Sequence, residues 1–267
     1  MSAVYAKRVK LTPTADKIKK ITLVSTILFV FVFSAYMIDL DLVRFAERLG
    51  NAGAVLRMFA DFNPAILPEA ISEMLVSLAL AAASLFVGFW ISIALAFLAA
   101  SNTAPNKIMA VVIKAVVAII RAVPSLVWLL MIVASIGFGN TAGMVGLLLS
   151  TMGYLVKSFA AAIEEKGTDS IEALRAVGAP WLHIVVKGVL PGVVTSFLSW
   201  SSIRFEANIA ESIGLGMVGV GGIGALLMRA IRGNDFGNIV AILTVIFITL
   251  LAVEIFSIVL RREIKKS

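Results

Sequence analysis

The 267-residue chain is 60% hydrophobic and 15% charged, with a mean hydropathy of +1.03. Soluble domains average roughly 45–50% apolar and 25% charged residues, so a soluble globular fold is excluded. A formal net charge of +7 would suggest nucleic acid in a soluble protein; in a membrane chain it reports orientation, because Lys and Arg collect on the cytoplasmic side, and no nucleic-acid partner is expected.

Six apolar runs are long enough to cross a bilayer as helices: residues 21–38, 71–100, 122–138, 142–163, 192–213 and 238–260. They stay apolar without the alternation of a barrel strand, which predicts an all-α integral membrane protein with six transmembrane helices. The first run is longer than the roughly 7–15 apolar residues of a signal peptide and is expected to be a retained anchor. Residues 1–70 read as a basic tail, this first span and an external connection, residues 71–260 as the transmembrane domain, and residues 261–267 as a second basic tail.

Charge sets the direction of each crossing. Lys7, Arg8, Lys10, Lys17, Lys19 and Lys20 precede the first span, and Arg261, Arg262, Lys265 and Lys266 follow the last. Basic ends prefer the cytoplasm, so both termini are expected there, in agreement with an even number of crossings. The 39–70 connection holds Asp39, Asp41, Glu47, Asp61 and Glu69 and falls outside. Lys107, Lys114 and Arg121, then Lys166, Arg175 and Lys187, fall in connections assigned inside.

The longest inside connection, residues 164–191, reads as helix, glycine turn and second helix. Asp169 and Glu172 have the spacing of a capping box, Gly178 suits the left-handed residue that ends a helix, and Pro180 suits the first turn of the next. Pro191 is expected to break or kink the chain where it re-enters the membrane. Glu172-Ala173, Gly178 and Leu190-Pro191 resemble the coupling loop of permease subunits of binding-protein-dependent ABC importers. That resemblance implies a type I importer permease fold and a loop that docks on an ATPase subunit through Glu172, Ala173, Gly178, Leu190 and Pro191. The bland alternative is that Glu172 only supports a solvated helix.

In the fifth run, Trp200, Arg204, Asn208 and Glu211 follow one another at intervals of four, four and three, which places them on one helical stripe; Glu206 lies near the opposite side. Arg204 is taken as the only arginine deep in the membrane, where an ionised group is costly unless it faces polar company. Arg204 and Glu211 are expected to be too far apart to pair directly, bracketing Asn208 between them. Structural pairing, with Glu206 or Glu211 neutralising Arg204 across the bundle, and lining of a substrate path both stay open, with a slight preference for the structural role, since a tight fixed anion site would slow release.

Gly214, Gly216, Gly219, Gly221, Gly222 and Gly224 follow. Two overlapping G-x-G-x-x-G matches occur among them, but a membrane helix precedes them where a dinucleotide site needs a strand, and that reading is rejected. The glycines are expected to break the helix and let backbones approach closely, with exposed N–H groups able to cradle an anion. The run from Arg204-Phe205-Glu206 through Asn208-Ile209 and on to Gly224, with Arg121-Ala122-Val123-Pro124 upstream, resembles the phosphonate and phosphite branch of these permeases. It departs at Ala210, where that branch commonly has arginine.

The resemblance implies a non-catalytic permease for a phosphorus oxyanion, working by alternating access. Arg204, Glu206, Asn208, Glu211, Gly219, Gly221, Gly222 and Gly224 become candidates for the path or its supporting network. Implied partners are a second permease copy, an external binding protein, the lipid membrane and an ATPase dimer that would carry the ATP and Mg²⁺; no P-loop occurs in this chain, so no cofactor is expected on it. A permease for another solute, such as an amino acid or sulfonate, is the alternative. A secondary transporter would need midplane carboxylates in repeated halves, and no repeat is visible. A membrane enzyme would need a nucleophile, metal or acid–base set, for which one His and no Cys leave little material.

Overall fold

The computed structural model describes residues 14–38, 41–50, 53, 57–166 and 168–266; the N-terminal basic residues Lys7, Arg8 and Lys10, and Asp39, lie outside them. The chain divides into two units, Met1–Arg57 and Met58–Ser267. The first unit holds α1 (Thr14–Met37) and α2 (Leu42–Leu49). Past the charged first turns with Asp16, Lys17, Lys19 and Lys20, α1 is largely apolar and exposes Ile21, Leu28, Phe29 and Phe33, as a helix surrounded by lipid does. Asp41 caps α2 by accepting from the Arg44 N–H at 2.9 Å.

The second unit contains α3 (Leu67–Ala99), α4 (Lys107–Ala122), α5 (Ser125–Ile136), α6 (Asn140–Lys166), α7 (Thr168–Ala176), α8 (Leu190–Leu215), α9 (Ile223–Arg232) and α10 (Phe236–Lys266). α6 packs against α3, α4, α5 and α8. Phe159 of α6 stacks on Phe197 of α8 with ring centroids 4.1 Å apart, and Phe97 of α3 meets Phe197 edge-on at 6.2 Å. A second apolar cluster joins α3, α8, α9 and α10 through Met74, Ile213, Ile223 and Ile242.

Among the described residues five helices have the length and apolarity to cross a membrane, and a sixth crossing exists only if α4 and α5 together make one span. This corrects the expected third run at 122–138. A bend of 89° separates α4 from α5, and α5 alone, at 12 residues, is about 18 Å long, short of the hydrocarbon core. The cause is local. Pro124 lacks an N–H and disfavours a helical residue before it, so Val123 is extended at φ −91° and ψ 124°. Trp128 of α5 then donates from Nε1 to the Ile120 carbonyl at 3.0 Å, satisfying an acceptor at the end of α4. Hydropathy runs straight through Val123 and does not register the turn.

Two further expectations shift. α7 begins at Thr168, one residue before the Asp169 expected to cap it, and the Asp169 side chain lies outside the described residues. Pro180 is the N-cap of the following turn (Trp181–His183) rather than its first residue. Pro191 does not break the chain: a π-helical stretch, Ile184–Val189, continues without interruption into α8, and the Leu190 N–H bonds to the Val185 carbonyl five residues back. The wider turn absorbs the hydrogen bond that proline cannot make.

Candidate functional site

The 164–191 connection presents one face and anchors the other. The end of α7 closes as predicted: Gly178 is left-handed at φ +76°, its N–H bonds to the Arg175 carbonyl at 3.0 Å, and the Ala179 N–H reaches Leu174 at 3.0 Å. This pair of bonds is the Schellman closure. Ile171 is 2% exposed in the apolar cluster beneath, with Leu174 packed against it, while Glu172, Ala173 and Gly178 are exposed and Val177 is 79% exposed. The helix is also tied to the 100–106 turn between α3 and α4. Arg175 Nη2 donates to the Asn102 carbonyl at 2.9 Å, and Trp181 Nε1 donates to the Thr103 carbonyl at 2.6 Å. Leu190 and Pro191, by contrast, sit at the head of α8, with Leu190 packed into the same cluster as Ile171.

Arg204 is 6% exposed and held from several sides. Its Nη2 lies 3.0 Å from Glu211 Oε2 and donates to Ser150 Oγ at 2.8 Å. Its Nε reaches Thr151 Oγ1 at 3.4 Å, and the guanidinium carbon stands 5.8 Å from the Tyr154 ring centroid. The expectation that Arg204 and Glu211 cannot pair is therefore corrected. Seven residues rise about 10 Å, but Glu leans toward the helix N-terminus while the long Arg stem reaches forward to meet it. Glu206 is no partner of Arg204; it pairs with Arg261 of α10 at 2.9 Å.

Asn208, fully buried, carries the stripe to two other helices. It accepts from Thr151 Oγ1 at 3.0 Å and donates to Ser84 Oγ at 3.2 Å. Trp200 meets Tyr154 edge-on, at 6.1 Å between centroids. The network therefore joins α3, α6 and α8 through hydrogen bonds between buried polar side chains, as a low-dielectric interior favours.

The glycines behave differently from one another. Gly219, Gly221 and Gly222 have φ of +109°, +111° and +70°, which only glycine adopts without strain, and they turn the chain from α8 into α9. Ser77 of α3 lies directly against Gly222 and accepts from the Ile223 N–H at 3.1 Å. Gly224 packs against the Ile213 carbonyl so closely that no side chain fits. Gly219 lines a cavity of about 660 Å³ with Phe138, Met217, Met228 and Arg232.

Sequence reasoning missed Arg121 as a site residue. It lines a cavity of about 220 Å³ together with Arg204, Glu211, Ser150, Tyr154 and Ser125, so Arg204 is not the sole arginine in this region. Spacing was the available signal: Lys107, Lys114 and Arg121 recur every seven residues on α4, one face of a helix.

Residues 92–265 match the family described as binding-protein-dependent transport system inner membrane component. The phosphite transport system permease protein PtxC of Stutzerimonas stutzeri is 36% identical over 195 residues, covering 73% of this chain and 71% of that protein. The phosphate-import permease protein PhnE of Mycolicibacterium smegmatis is 36% identical over 171 residues; these cover 64% of this chain but 32% of that longer relative. Among solved structures, the inward-facing MetNI methionine ABC transporter has a chain that superposes with a TM-score of 0.66 at 22% identity, covering 76% of this chain and 99% of that one, a likeness of fold.

Proposed function

The chain belongs to the binding-protein-dependent transport system inner membrane component family, and on that premise we propose that it is the permease subunit of an importer for phosphite, a phosphonate or a related phosphorus oxyanion. The observation that carries the substrate class is the 36% identity to a phosphite permease across 71% of that protein. Family membership supports an external binding protein as the source of substrate and a separate ATPase, which would hold ATP and Mg²⁺ and supply the driving force. A second copy of this chain completes the pathway, and both termini face the cytoplasm, the side that the clustered Lys and Arg favour.

In this reading the exposed face of α7, with Glu172, Ala173 and Val177, meets the ATPase. Movement of α7 passes on through Ile171 and Leu174 to the core, and through Arg175 and Trp181 to the 100–106 turn. Because that turn joins α3 to α4, a push on one short helix bears on two membrane helices at once. The test is reconstitution of the complex with its ATPase and binding protein in proteoliposomes, followed by ATP hydrolysis and uptake with phosphite, methylphosphonate and inorganic phosphate. Stimulation by at least one of these, with none by methionine or a sulfonate, is the expected result; stimulation by the latter alone would overturn the substrate class.

A further inference from the structure

Arg121 lines not one cavity but two. The upper one, described above, brings it to Arg204, Glu211, Ser150 and Tyr154. A larger cavity of about 360 Å³ opens on its other side, where Arg121 is joined by Lys114, Lys157 and Glu164 among alanines and valines. Lys114 and Lys157 each sit seven residues from a polar residue of the upper cavity, Arg121 on α4 and Ser150 on α6. Seven residues are about 10 Å along a helix, so the two cavities lie one above the other between α4 and α6.

The charges in this pair of cavities follow a rule. Arg204 is held by Glu211 at 3.0 Å, and Lys114 is held by Glu164 at 2.7 Å. Arg121, which lines both cavities, and Lys157, which lines only the lower one, make no ion pair among the described residues. Four cations face two carboxylates, so the lining as a whole stays positive. Arg121 is also placed rather than loose: a Cβ on Gly153 of α6 would stand 2.8 Å from its Cγ, so the bare glycine backbone gives its stem a seat.

Resting on the proposed phosphorus-oxyanion function, we propose that these cavities form the inner half of the transport path, with Arg121 as the relay between an upper and a lower anion station. Charges already neutralised by a carboxylate shape each station, while the unpaired cation in it offers the anion a charge-assisted contact. Several weak stations in series suit conduction, because an ion must bind well enough to enter and weakly enough to leave. A single deep site built on Arg204 alone would not hand its cargo on.

The chain has no cysteine, which makes the test direct. Arg121→Cys and Lys157→Cys are introduced into the assembled complex, and phosphite uptake is measured before and after modification with aminoethyl methanethiosulfonate, which restores a cation, or sulfonatoethyl methanethiosulfonate, which adds an anion. Uptake by each variant should fall on the order of tenfold, recover with the cationic reagent and fall further with the anionic one, since only charge differs between them. Phosphite should also slow modification at both positions, which anchoring of these side chains to lipid headgroups would not produce. Lys107→Gln, on the same face of α4 but outside both cavities, should transport like wild type. Unimpaired phosphite uptake by Arg121→Cys, or equal effects of the two reagents, overturns the relay. A wild-type complex that carries neither phosphite, methylphosphonate nor phosphate overturns the substrate reading instead.

Discussion

Arg204 illustrates what burial does to a charge. A guanidinium at membrane depth is tolerated when it faces polar partners, and here Glu211 and Ser150 meet Nη2 and Thr151 meets Nε. Removing one side of such a pair leaves the other charge stranded, a loss of roughly 3 kcal/mol at the low end for a broken buried pair. Arg204→Ala is therefore expected to lower the melting temperature of the purified permease and its yield of folded protein, and Arg204→Ala with Glu211→Gln should recover much of both. Size-exclusion profiles and thermal melts in detergent read this directly; a double variant no better than the single one would mean that Glu211 is not the partner that matters. Arg121 differs because no carboxylate among the described residues pairs with it, so its loss should show in transport rather than in stability.

At the scale of elements, α7 is a short lever whose end is set by one residue. Gly178 at φ +76° lets the chain reverse while the Arg175 and Leu174 carbonyls stay bonded. A β-branched residue there costs about 1–2 kcal/mol of backbone strain and would open the Schellman closure. Gly178→Val is expected to insert normally, because no span is touched, but to lose substrate-stimulated ATP hydrolysis while basal hydrolysis by the ATPase persists. Full stimulation at normal expression would remove α7 from the coupling role. The bend between α4 and α5 follows the same local logic, with Pro124 imposing the break and Trp128 holding it.

For the whole molecule, the crossing count depends on whether α4 and α5 traverse the bilayer as one bent span. From residue 62 to residue 177 the chain passes through α3, the α4–α5 pair and α6. Three crossings would put Phe62 and Val177 on opposite sides; a re-entrant pair would leave two crossings and put them on the same side. Both residues are exposed, and the chain lacks cysteine, so Phe62→Cys and Val177→Cys can each be labelled with a membrane-impermeant maleimide. The expected pattern is Phe62→Cys labelled in intact spheroplasts and Val177→Cys only in inside-out vesicles.

How much of this was legible in one dimension follows from what each signal depends on. Long apolar runs identified a helical membrane protein because crossing a bilayer demands about 20 apolar residues whatever the fold. The glycine at 178 could be read as a helix end because its backbone requirement is local, and the loop and glycine patterns carried the family resemblance. The bend at Val123–Pro124 was equally local, yet hydropathy averages over it. Partners across space were not readable at all. That Arg204 reaches Glu211, that Glu206 turns to Arg261, and that Arg121 touches two cavities depend on which faces of α4, α6, α8 and α10 meet. Those choices are made by packing, through contacts such as Gly153 beneath Arg121 and Phe159 on Phe197. Buried charges must find their partners in that packed arrangement, so only the tertiary structure could decide them.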